Sequence, residues 1–393
     1  MALGQGFQVN LHGQKQIGMG HTGTGLAEDG ASILFNPGAM AMLPENYVQG
    51  GVSPLFFKSD FNPSGTDRQY QVKDKLATPF TAYGVWGPKG AKWKVGLGVY
   101  TPFGGLSDWG TTWQGKYVLE SLNLKAIYFQ PTVSYKLTSK ISIGAGVVYD
   151  IGIVDLTRAI PVSNSNGADG QAELKGTGNG WGYNAGIYYR PVKKWSFGLS
   201  YRSKVKTTIN DGDATFTVPA SLSSSFPAGN KFSSSIPLPS TTALGVGYYP
   251  TSRLMLALDL NYVHWSVYKS LDFDYKYNTA ALQDTHSPRD YTDGGAIRIG
   301  GQYAVMKTLK VRAGGGYVFT PVKDGYVTPE APDANRYYLT AGVGYTLARH
   351  FDIDASFMYE RVTKRTQTNI ESNLAGTYLT NVYAPGISLS YHW

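Results

Sequence analysis

Apolar and polar side chains alternate along most of the chain. From Leu254 to Tyr262 every second residue is leucine or tyrosine, and the residues between them include Asp259 and Asn261. The segment from Phe351 to Glu360 alternates in the same way. A period of two residues with one apolar face is the pattern of a β-strand that has two different surroundings. The sequence therefore predicts a protein built mainly of strands.

The predicted strands are long and even in number, and the connections between them are alternately short and long. Many exceed the about five or six residues usual in soluble proteins and reach the about 9–11 that a tilted membrane strand needs. The fourteen candidates lie near 47–60, 76–87, 92–102, 120–136, 140–158, 172–190, 195–210, 237–249, 253–275, 290–305, 308–320, 335–347, 350–368 and 377–393. Short connections such as 137–140 alternate with long polar ones such as 211–235, which is typical of transmembrane barrels.

The apolar faces also end in aromatic residues, as the interfacial girdles of membrane barrels do. The last strand carries Ile387, Leu389, Tyr391 and Trp393 on one face. A final strand of a soluble sandwich is the alternative, but the agreement of all the other strands favours a barrel. We therefore predict an all-β fold, a 14-stranded antiparallel transmembrane β-barrel in a bacterial outer membrane.

Residues 1–46 follow a different pattern, rich in glycine and small residues without long alternation. Short helical turns are expected near 27–34 and 39–43. Backbone at membrane depth has to be enclosed by protein. The sequence therefore predicts two parts, an N-terminal plug or hatch (1–46) inside the lumen of a barrel (47–393).

Composition and charge exclude several classes of protein. The chain has no cysteine, so it contains neither disulfides nor cysteine-based metal sites. Only 16% of its residues are charged, against about 25% in soluble domains. The net charge of +8 is spread along the chain, which suggests outer-membrane lipid or lipopolysaccharide as a neighbour rather than nucleic acid. Met1–Gly4 shows no secretion signal, which fits a mature secreted chain with an added methionine or a cytosolic protein.

No cofactor is expected. Residues 18–23 match the spacing G-x-G-x-x-G, but no strand–turn–helix context surrounds them, so we interpret them as flexible backbone. The six histidines are scattered and form no pair at metal-binding spacing. No G-x-S-x-G motif indicates a hydrolase, and we expect that the protein is not an enzyme.

Short motifs in a fixed order resemble the FadL/TodX/OmpP1 family of outer-membrane transporters for hydrophobic compounds. Asn36-Pro37-Gly38 resembles the Asn-Pro-Ala motif of the family's plug, with glycine in place of alanine. Further matches are the segments 6–10, 96–104, 130–135, 238–241, 259–266, 312–314 and 332–336. The family has fourteen strands. The resemblance implies that a hydrophobic molecule is captured between outer loops, passes to a pocket against the N-terminal residues and leaves sideways through a kinked third strand.

Several residues are candidates for contact with such a ligand. Leu106, Trp109 and Trp113 are predicted to form an apolar capture surface in the loop after the third strand, although a girdle or a self-packed loop is an alternative. Phe7, Val9 and Phe35 are expected beside the pocket that the resemblance implies. For a carboxylate, Arg158 and Arg298 are candidate cations. Pairing of these arginines with acidic side chains inside the barrel is the alternative, and a neutral hydrocarbon needs no cation.

Two segments are candidates for moving parts. Asn36, Pro37 and Gly38 are predicted to form the gate, or else a turn that caps the following helix. The lateral opening is predicted at these residues of the third strand: Gly96, Gly98, Pro102, Phe103 and Gly104. Close packing of the glycines against a bulky side chain of the plug is the alternative.

We expect a monomer that passively imports long-chain fatty acids or similar compounds. A structural barrel of a surface or secretion assembly is the alternative, and an outer-membrane hydrolase is a second rival. A transporter should keep an apolar pocket beside residues 7–10 and Phe35, whereas a structural barrel would fill it with side chains.

Overall fold

The computed structural model describes residues 6–164 and 167–393 and contains a closed antiparallel barrel. Each wall strand pairs with the next, and the last pairs with the first. The strands are β1 (Tyr47–Val52), β2 (Phe56–Pro63), β3 (Tyr70–Gln71), β4 (Phe80–Trp86), β5 (Trp93–Asp108), β6 (Ser121–Lys136), β7 (Ile141–Ser163), β8 (Asp169–Val192), β9 (Trp195–Arg202), β10 (Val205–Thr217), β11 (Asn230–Leu238), β12 (Thr241–Tyr248), β13 (Leu254–Val263), β14 (Ser270–Tyr275), β15 (Thr285–Pro288), β16 (Gly294–Met306), β17 (Leu309–Phe319), β18 (Arg336–Ala348), β19 (Phe351–Thr368) and β20 (Ala375–His392).

Within the described ranges, these twenty segments form fourteen wall strands. Four of the wall strands are each divided into two segments by an interruption, and two short segments do not belong to the wall. The interrupted strands are the pairs β1/β2, β9/β10, β11/β12 and β13/β14, while β3 and β15 are short outer additions. Pro54 and Pro239 lie in two of the interruptions, where the missing N–H cannot continue the ladder. The predicted fold class is confirmed, and all fourteen predicted strands occur in the predicted order.

The alternation along the strands separates a lipid-facing surface from the interior. Leu256, Leu258 and Leu260 on β13 are 42%, 41% and 45% exposed, whereas Ala257 and Asp259 between them are buried. Lipid tails solvate apolar side chains, so the oily face of each strand points outward and the polar face lines the lumen. The sheet thus has the reverse polarity of a soluble sandwich.

The N-terminal segment, residues 6–46, lies inside the barrel and is almost entirely buried. It contains helix α1 (Gln14–Gly18), helix α2 (Ser32–Phe35) and a 3₁₀ helix over Pro37–Met42; two further 3₁₀ helices, Ala220–Leu222 and Trp265–Val267, lie in outer connections. The turn expected near 39–43 overlaps the first 3₁₀ helix, whereas α1 was not predicted. No helix among the described residues is long and apolar enough to span a membrane.

Buried charges hold α1 against the wall. Lys15 lies 3.9 Å from Asp29 of the same segment, 3.6 Å from Asp352 and 3.9 Å from Asp354 of β19. The wall also lacks a side chain where the chain leaves α1. A Cβ atom at Gly300 of β16 would lie 2.0 Å from the carbonyl oxygen of Met19, the residue after α1, so glycine is needed for this close approach. Partnered charges in a buried site are costly to separate, so this part of the segment is firmly fixed.

A candidate ligand path through the barrel wall

The third wall strand, β5, has an irregular upper half. Its pairing with β6 shifts by one residue between Tyr100 and Phe103, which is a β-bulge at Thr101 and Pro102. Its other neighbour, β4, pairs with it only between residues 81–86 and 95–100. The chain before β4 turns away, since Ala77 pairs with Leu55 instead. Above Tyr100, β5 therefore has a free edge where the wall would otherwise be closed.

The N-terminal residues cover this free edge from inside. Val9 donates its N–H to the Pro102 carbonyl oxygen at 2.8 Å, and Gly104 donates its N–H to the Phe7 carbonyl oxygen at 2.8 Å. These two bonds make Gln8 and Phe103 an antiparallel pair. Buried backbone groups need partners, and residues 7–9 supply them to β5 as a strand would.

His12 adds a third contact to the same edge. Its Nε2 lies 3.1 Å from the Thr101 carbonyl oxygen. Burial is the main reason that the pKa of His12 is lowered to about 3, so the ring is neutral and donates one hydrogen bond. The contacts between residues 7–12 and β5 are thus hydrogen bonds without ionic attraction, in contrast to the charged contacts of α1.

A cavity of about 520 Å³ lies at the free edge of β5 and is called the wall gap here. It is lined by Val9, Leu55, Lys75, Leu76, Ala77, Thr78, Pro79, Phe80, Thr101, Gly104, Gly105, Leu106, Asn123, Leu124, Lys125 and Ile127. The lining includes inward residues such as Leu124 and outward residues such as Lys125 and Leu76, which is 59% exposed. The wall gap therefore reaches from the lumen side of the wall to the lipid side.

Two further cavities lie on the lumen side of Phe7. The first, called the apolar neck, has a volume of about 30 Å³ and is lined by Phe7, Leu122, Leu124, Val154, Leu156, Ile209, Ser234, Ile236, Tyr268, Leu271, Phe273 and Glu330. The second, called the outer cavity, has about 240 Å³ and shares Leu156, Leu271 and Phe273 with the neck. The neck shares Leu124 with the wall gap. Phe7 and Leu124 thus separate the outer cavity from the opening in the wall.

A small polar chamber lies deeper in the barrel. It has a volume of about 60 Å³, and its lining includes Val9, His21, Phe35, Arg202 and Arg298. A chamber of this size has room for only a few water molecules. Its charged lining and small size make it a poor continuation for an apolar ligand.

The predicted capture residues are core residues of the outer loop layer rather than an open surface. Trp109 and Trp113 are 4% and 1% exposed and stack on each other with ring centres 4.8 Å apart. Each indole N–H donates to a backbone carbonyl oxygen, that of Pro329 at 3.1 Å and that of Leu119 at 2.7 Å. Buried indoles need such partners, so the self-packed alternative describes these two side chains. Leu106, in contrast, lines the wall gap.

The predicted gate, Asn36 to Gly38, is joined to the wall. The Asn36 side chain accepts from the Gly38 N–H at 3.0 Å and donates to the carbonyl oxygens of Thr24 and Ile187, each at 2.9 Å. Ser142 on β7 donates to the Gly38 carbonyl oxygen at 2.6 Å. None of Asn36, Pro37 and Gly38 lines the neck or the wall gap. The geometry is that of a capping turn that anchors the segment.

Substitution of Asn36 by alanine should therefore destabilise the folded protein. The change leaves the Gly38 N–H and two carbonyl oxygens without this partner, and an unpaired buried group costs about 1–3 kcal/mol. We expect a loss of about 2–3 kcal/mol in the free energy of unfolding, measured by urea titration in lipid vesicles. Ser223, an exposed loop residue, offers a control for alanine substitution. An unchanged urea midpoint for Asn36→Ala would contradict the anchoring role.

The five residues predicted for the lateral opening separate into two groups. Gly96 and Gly98 lie in fully paired backbone between β4 and β6. A Cβ atom at Gly96 would lie 2.8 Å from the Ile33 Cδ1 atom, so these glycines make room for the N-terminal segment. Pro102, Phe103 and Gly104 lie at the bulge and the free edge. The sequence analysis placed Leu106 in the loop after the third strand. In the structure, residues 103–108 continue β5 instead.

The candidate cations also have different surroundings. Arg298 donates to the Asn10 side chain at 3.1 Å and contacts the Nδ1 atom of His21 at 2.6 Å, inside the polar chamber. Arg158 lines the outer cavity and has no ion pair with an acidic side chain in the part of the chain that is described. Its neighbour Arg289 is paired with Glu330 at 2.9 Å. Arg158 is thus the better placed cation for an anionic group above the neck.

Some lining residues were not predicted from the sequence. Leu124, Leu156 and Leu271 line the neck, and Leu76 lines the wall gap. The inward leucines give a signal that could have found them, because an apolar residue on the polar face of a membrane strand breaks the alternation. Leu122 and Leu124 of β6 are of this kind.

The whole chain, residues 1–393, matches the family model described as "Outer membrane protein transport protein (OMPP1/FadL/TodX)". The chain belongs to this family. It is 23% identical to the long-chain fatty acid transport protein of Salmonella typhi over 91% of this chain and 88% of that protein. The resemblance seen in the short motifs is thereby confirmed, and the protein is an outer-membrane barrel of a transport family.

Solved structures agree in fold. A FadL homologue of Pseudomonas aeruginosa superposes with a TM-score of 0.84 at 18% identity and covers 98% of this chain and 99% of its own. The toluene transporter TodX of Pseudomonas putida gives a TM-score of 0.73 at 16% identity, with 99% of this chain and 98% of its own covered. At these identities the likeness concerns the fold alone. The relatives from Salmonella typhi and Pseudomonas putida are named as transport proteins, in keeping with the expectation that this family member is not an enzyme.

Proposed function

We propose that this protein imports hydrophobic small molecules across the outer membrane and releases them sideways through the wall gap. In this proposal the N-terminal segment acts as a plug, and its residues 7–9 form the gate. A ligand enters the outer cavity, passes the apolar neck when Phe7 moves and reaches the lipid phase between β4 and β5. No energy source is required, since apolar molecules move down their gradient into lipid.

The observation that carries the proposal is the pairing of Gln8 with Phe103 across the free edge of β5. The same residues that close the opening also form the floor of the apolar neck, because Phe7 lines the neck and Val9 lines the wall gap. A ligand that displaces Phe7 would thus loosen the backbone bonds that cover β5. Binding and opening are coupled through three neighbouring residues.

The cavities also favour a sideways route over a straight one. The wall gap of about 520 Å³ is lined mostly by apolar side chains, and its two lysines, Lys75 and Lys125, are exposed. The polar chamber below, in contrast, has about 60 Å³ and contains the half-buried Arg202 and the buried Arg298. Moving an apolar chain into lipid gains about 0.8 kcal/mol per CH₂ group relative to water. A route through the wall secures this gain directly, while a route through the chamber requires charged groups to be displaced.

The substrates we propose are long-chain fatty acids or similar apolar compounds. Relatives bear names of both kinds, a long-chain fatty acid transport protein and a toluene transporter. The neck is lined almost entirely by apolar side chains, and Arg158 lies in the outer cavity above it. A fatty acid fits this order, with its carboxylate near Arg158 in the outer cavity and its tail directed toward the neck, which widens when Phe7 moves.

Narrowing the passage between the neck and the wall gap tests the proposal. Gly105 lines the wall gap, and a Cβ atom there would lie 3.6 Å from the Phe7 ring, so a side chain is accepted. Gly105→Trp should fill the passage and slow uptake of radiolabelled oleate about fivefold, a barrier increase of about 1 kcal/mol. Oleate binding by the detergent-solubilised variant should persist.

Gly84→Trp is the matched control. Gly84 lies on the neighbouring strand β4, and a Cβ atom there would meet no heavy atom within 4 Å. The added indole points to lipid, so uptake should equal that of the unsubstituted protein. Wild-type uptake by Gly105→Trp would refute sideways release. A structural barrel of a surface or secretion assembly would show no specific uptake in any of the three proteins.

A further inference from the structure

All six short turns at one end of the barrel carry positive charge. They are residues 87–92, 137–140, 193–194, 249–253, 307–308 and 349–350, and each contains at least one exposed lysine or arginine. None of them contains aspartate or glutamate. One cation from each turn defines the cationic collar: Lys89, Lys140, Lys193, Arg253, Lys307 and Arg349. Short turns face the periplasm in outer-membrane barrels, so the collar lies on the periplasmic side.

The collar lies at the depth of lipid head groups. Outward aromatic side chains stand directly inside the turns, such as Trp86 and Trp93 around the first turn and Trp195 after the third. Aromatic belts of this kind lie at the membrane–water interface. The neighbouring cations are therefore level with the phosphate groups of the inner leaflet or just beyond them.

The collar has no acidic partner among residues 6–164 and 167–393. None of its six residues forms an ion pair with an acidic side chain of the described chain, although such pairs are numerous at the opposite end. There Asp108 pairs with Lys73 at 3.3 Å and Asp290 with Lys269 at 3.0 Å. The six turns contain eight of the 35 lysines and arginines and none of the 27 acidic residues, so they account for the net charge of +8.

The six turns are distributed around the barrel, because a short turn joins every second pair of adjacent wall strands except β20 and β1, the last and first strands of the wall. A protein that docks on one side would meet only part of such a ring, whereas a shell of lipid meets all of it. We propose that the cationic collar binds the phosphate groups of anionic phospholipids in the inner leaflet of the outer membrane. Each such cation near an anionic surface is attracted within a Debye length.

Lipid selectivity in vesicles tests the proposal. The protein is reconstituted in phosphatidylcholine, and spin-labelled phosphatidylglycerol or phosphatidylcholine with the same acyl chains is added as the probe. Electron paramagnetic resonance gives the fraction of each label that the barrel immobilises. We expect phosphatidylglycerol to associate about threefold more strongly, and the preference should fall in high salt. Substitution of all six collar residues by glutamine should bring the ratio close to one.

A control variant separates the collar from a general effect of charge. It replaces six exposed lysines at the opposite end by glutamine: Lys58, Lys175, Lys204, Lys206, Lys276 and Lys364. This variant should keep the preference for phosphatidylglycerol, and both variants should keep heat-modifiable mobility on gels and oleate uptake. Equal association of the two labels with the unsubstituted protein would overturn the proposal and favour an acidic protein as the ligand of the collar. Equal losses in the two variants would also overturn it.

Discussion

A disulfide between residues 8 and 103 should abolish uptake, and reduction should restore it. The double variant Gln8→Cys with Phe103→Cys fixes the N-terminal residues to the free edge of β5, where the two residues are paired. If opening requires this pair to separate, the oxidised protein cannot release a ligand. We expect uptake of radiolabelled oleate to fall to the background of cells without the protein, and to recover with dithiothreitol.

The backbone geometry suits this cross-link. The bonds from Val9 to Pro102 and from Gly104 to Phe7 flank the pair, so Gln8 and Phe103 occupy a non-hydrogen-bonded position with Cα atoms about 4.5 Å apart. Disulfides span Cα distances of about 4.4–6.8 Å. The chain contains no cysteine of its own, so no other thiol competes for the bond.

The single variants Gln8→Cys and Phe103→Cys serve as controls. Neither can form the cross-link, so each should respond equally to oxidant and reductant. Loss of the Phe103 ring changes the oxidised and the reduced double variant equally. Uptake by the reduced double variant therefore measures the effect of losing the ring without the cross-link. Undiminished uptake by a fully oxidised double variant would exclude residues 7–9 as the gate.

The sequence predicts the barrel well because the lipid enforces a simple rule. Every wall strand has one face toward hydrocarbon, so the apolar positions recur at a period of two wherever the wall exists. Leu256, Leu258 and Leu260 show this with no reference to any other strand. Strand number, order and polarity are therefore readable from local sequence.

The pairing of residues 7–9 with β5 was not predicted because it joins distant parts of the chain. Gln8 and Phe103 are 95 residues apart, and nothing local to residues 7–9 indicates that they act as a partner for β5. The strand prediction also ended at Pro102, since proline usually ends a ladder. In the structure the bulge at Thr101 and Pro102 absorbs the missing N–H, and the strand continues to Asp108.

The sequence also did not reveal whether the large aromatic side chains of the outer loop are exposed or buried. Trp109 and Trp113 lie in a loop that could have exposed them. The residue types in this loop do not by themselves distinguish a capture surface from a buried loop core. The deciding contacts are the carbonyl oxygens of Pro329 and Leu119. One of these acceptors is 220 residues away along the chain, beyond the range of any pattern.

Arg158 should decide between fatty acids and neutral hydrocarbons. It lines the outer cavity without an acidic partner among the described residues, while Arg298 is bonded to the N-terminal segment and Arg289 to Glu330. A hydrogen bond to a charged group contributes about 1.5–3 kcal/mol. Arg158→Gln should therefore weaken oleate binding about 30-fold, equivalent to about 2 kcal/mol.

The same substitution should leave the affinity for toluene unchanged, because a neutral hydrocarbon gains nothing from the cation. Binding of both ligands to the solubilised protein, measured by isothermal titration calorimetry, gives the comparison directly. Arg298→Gln is the matched control, and we expect it to preserve oleate affinity since Arg298 lies in the polar chamber below Phe7. Equal weakening of oleate and toluene by Arg158→Gln would mean that the residue shapes the cavity rather than binding a carboxylate.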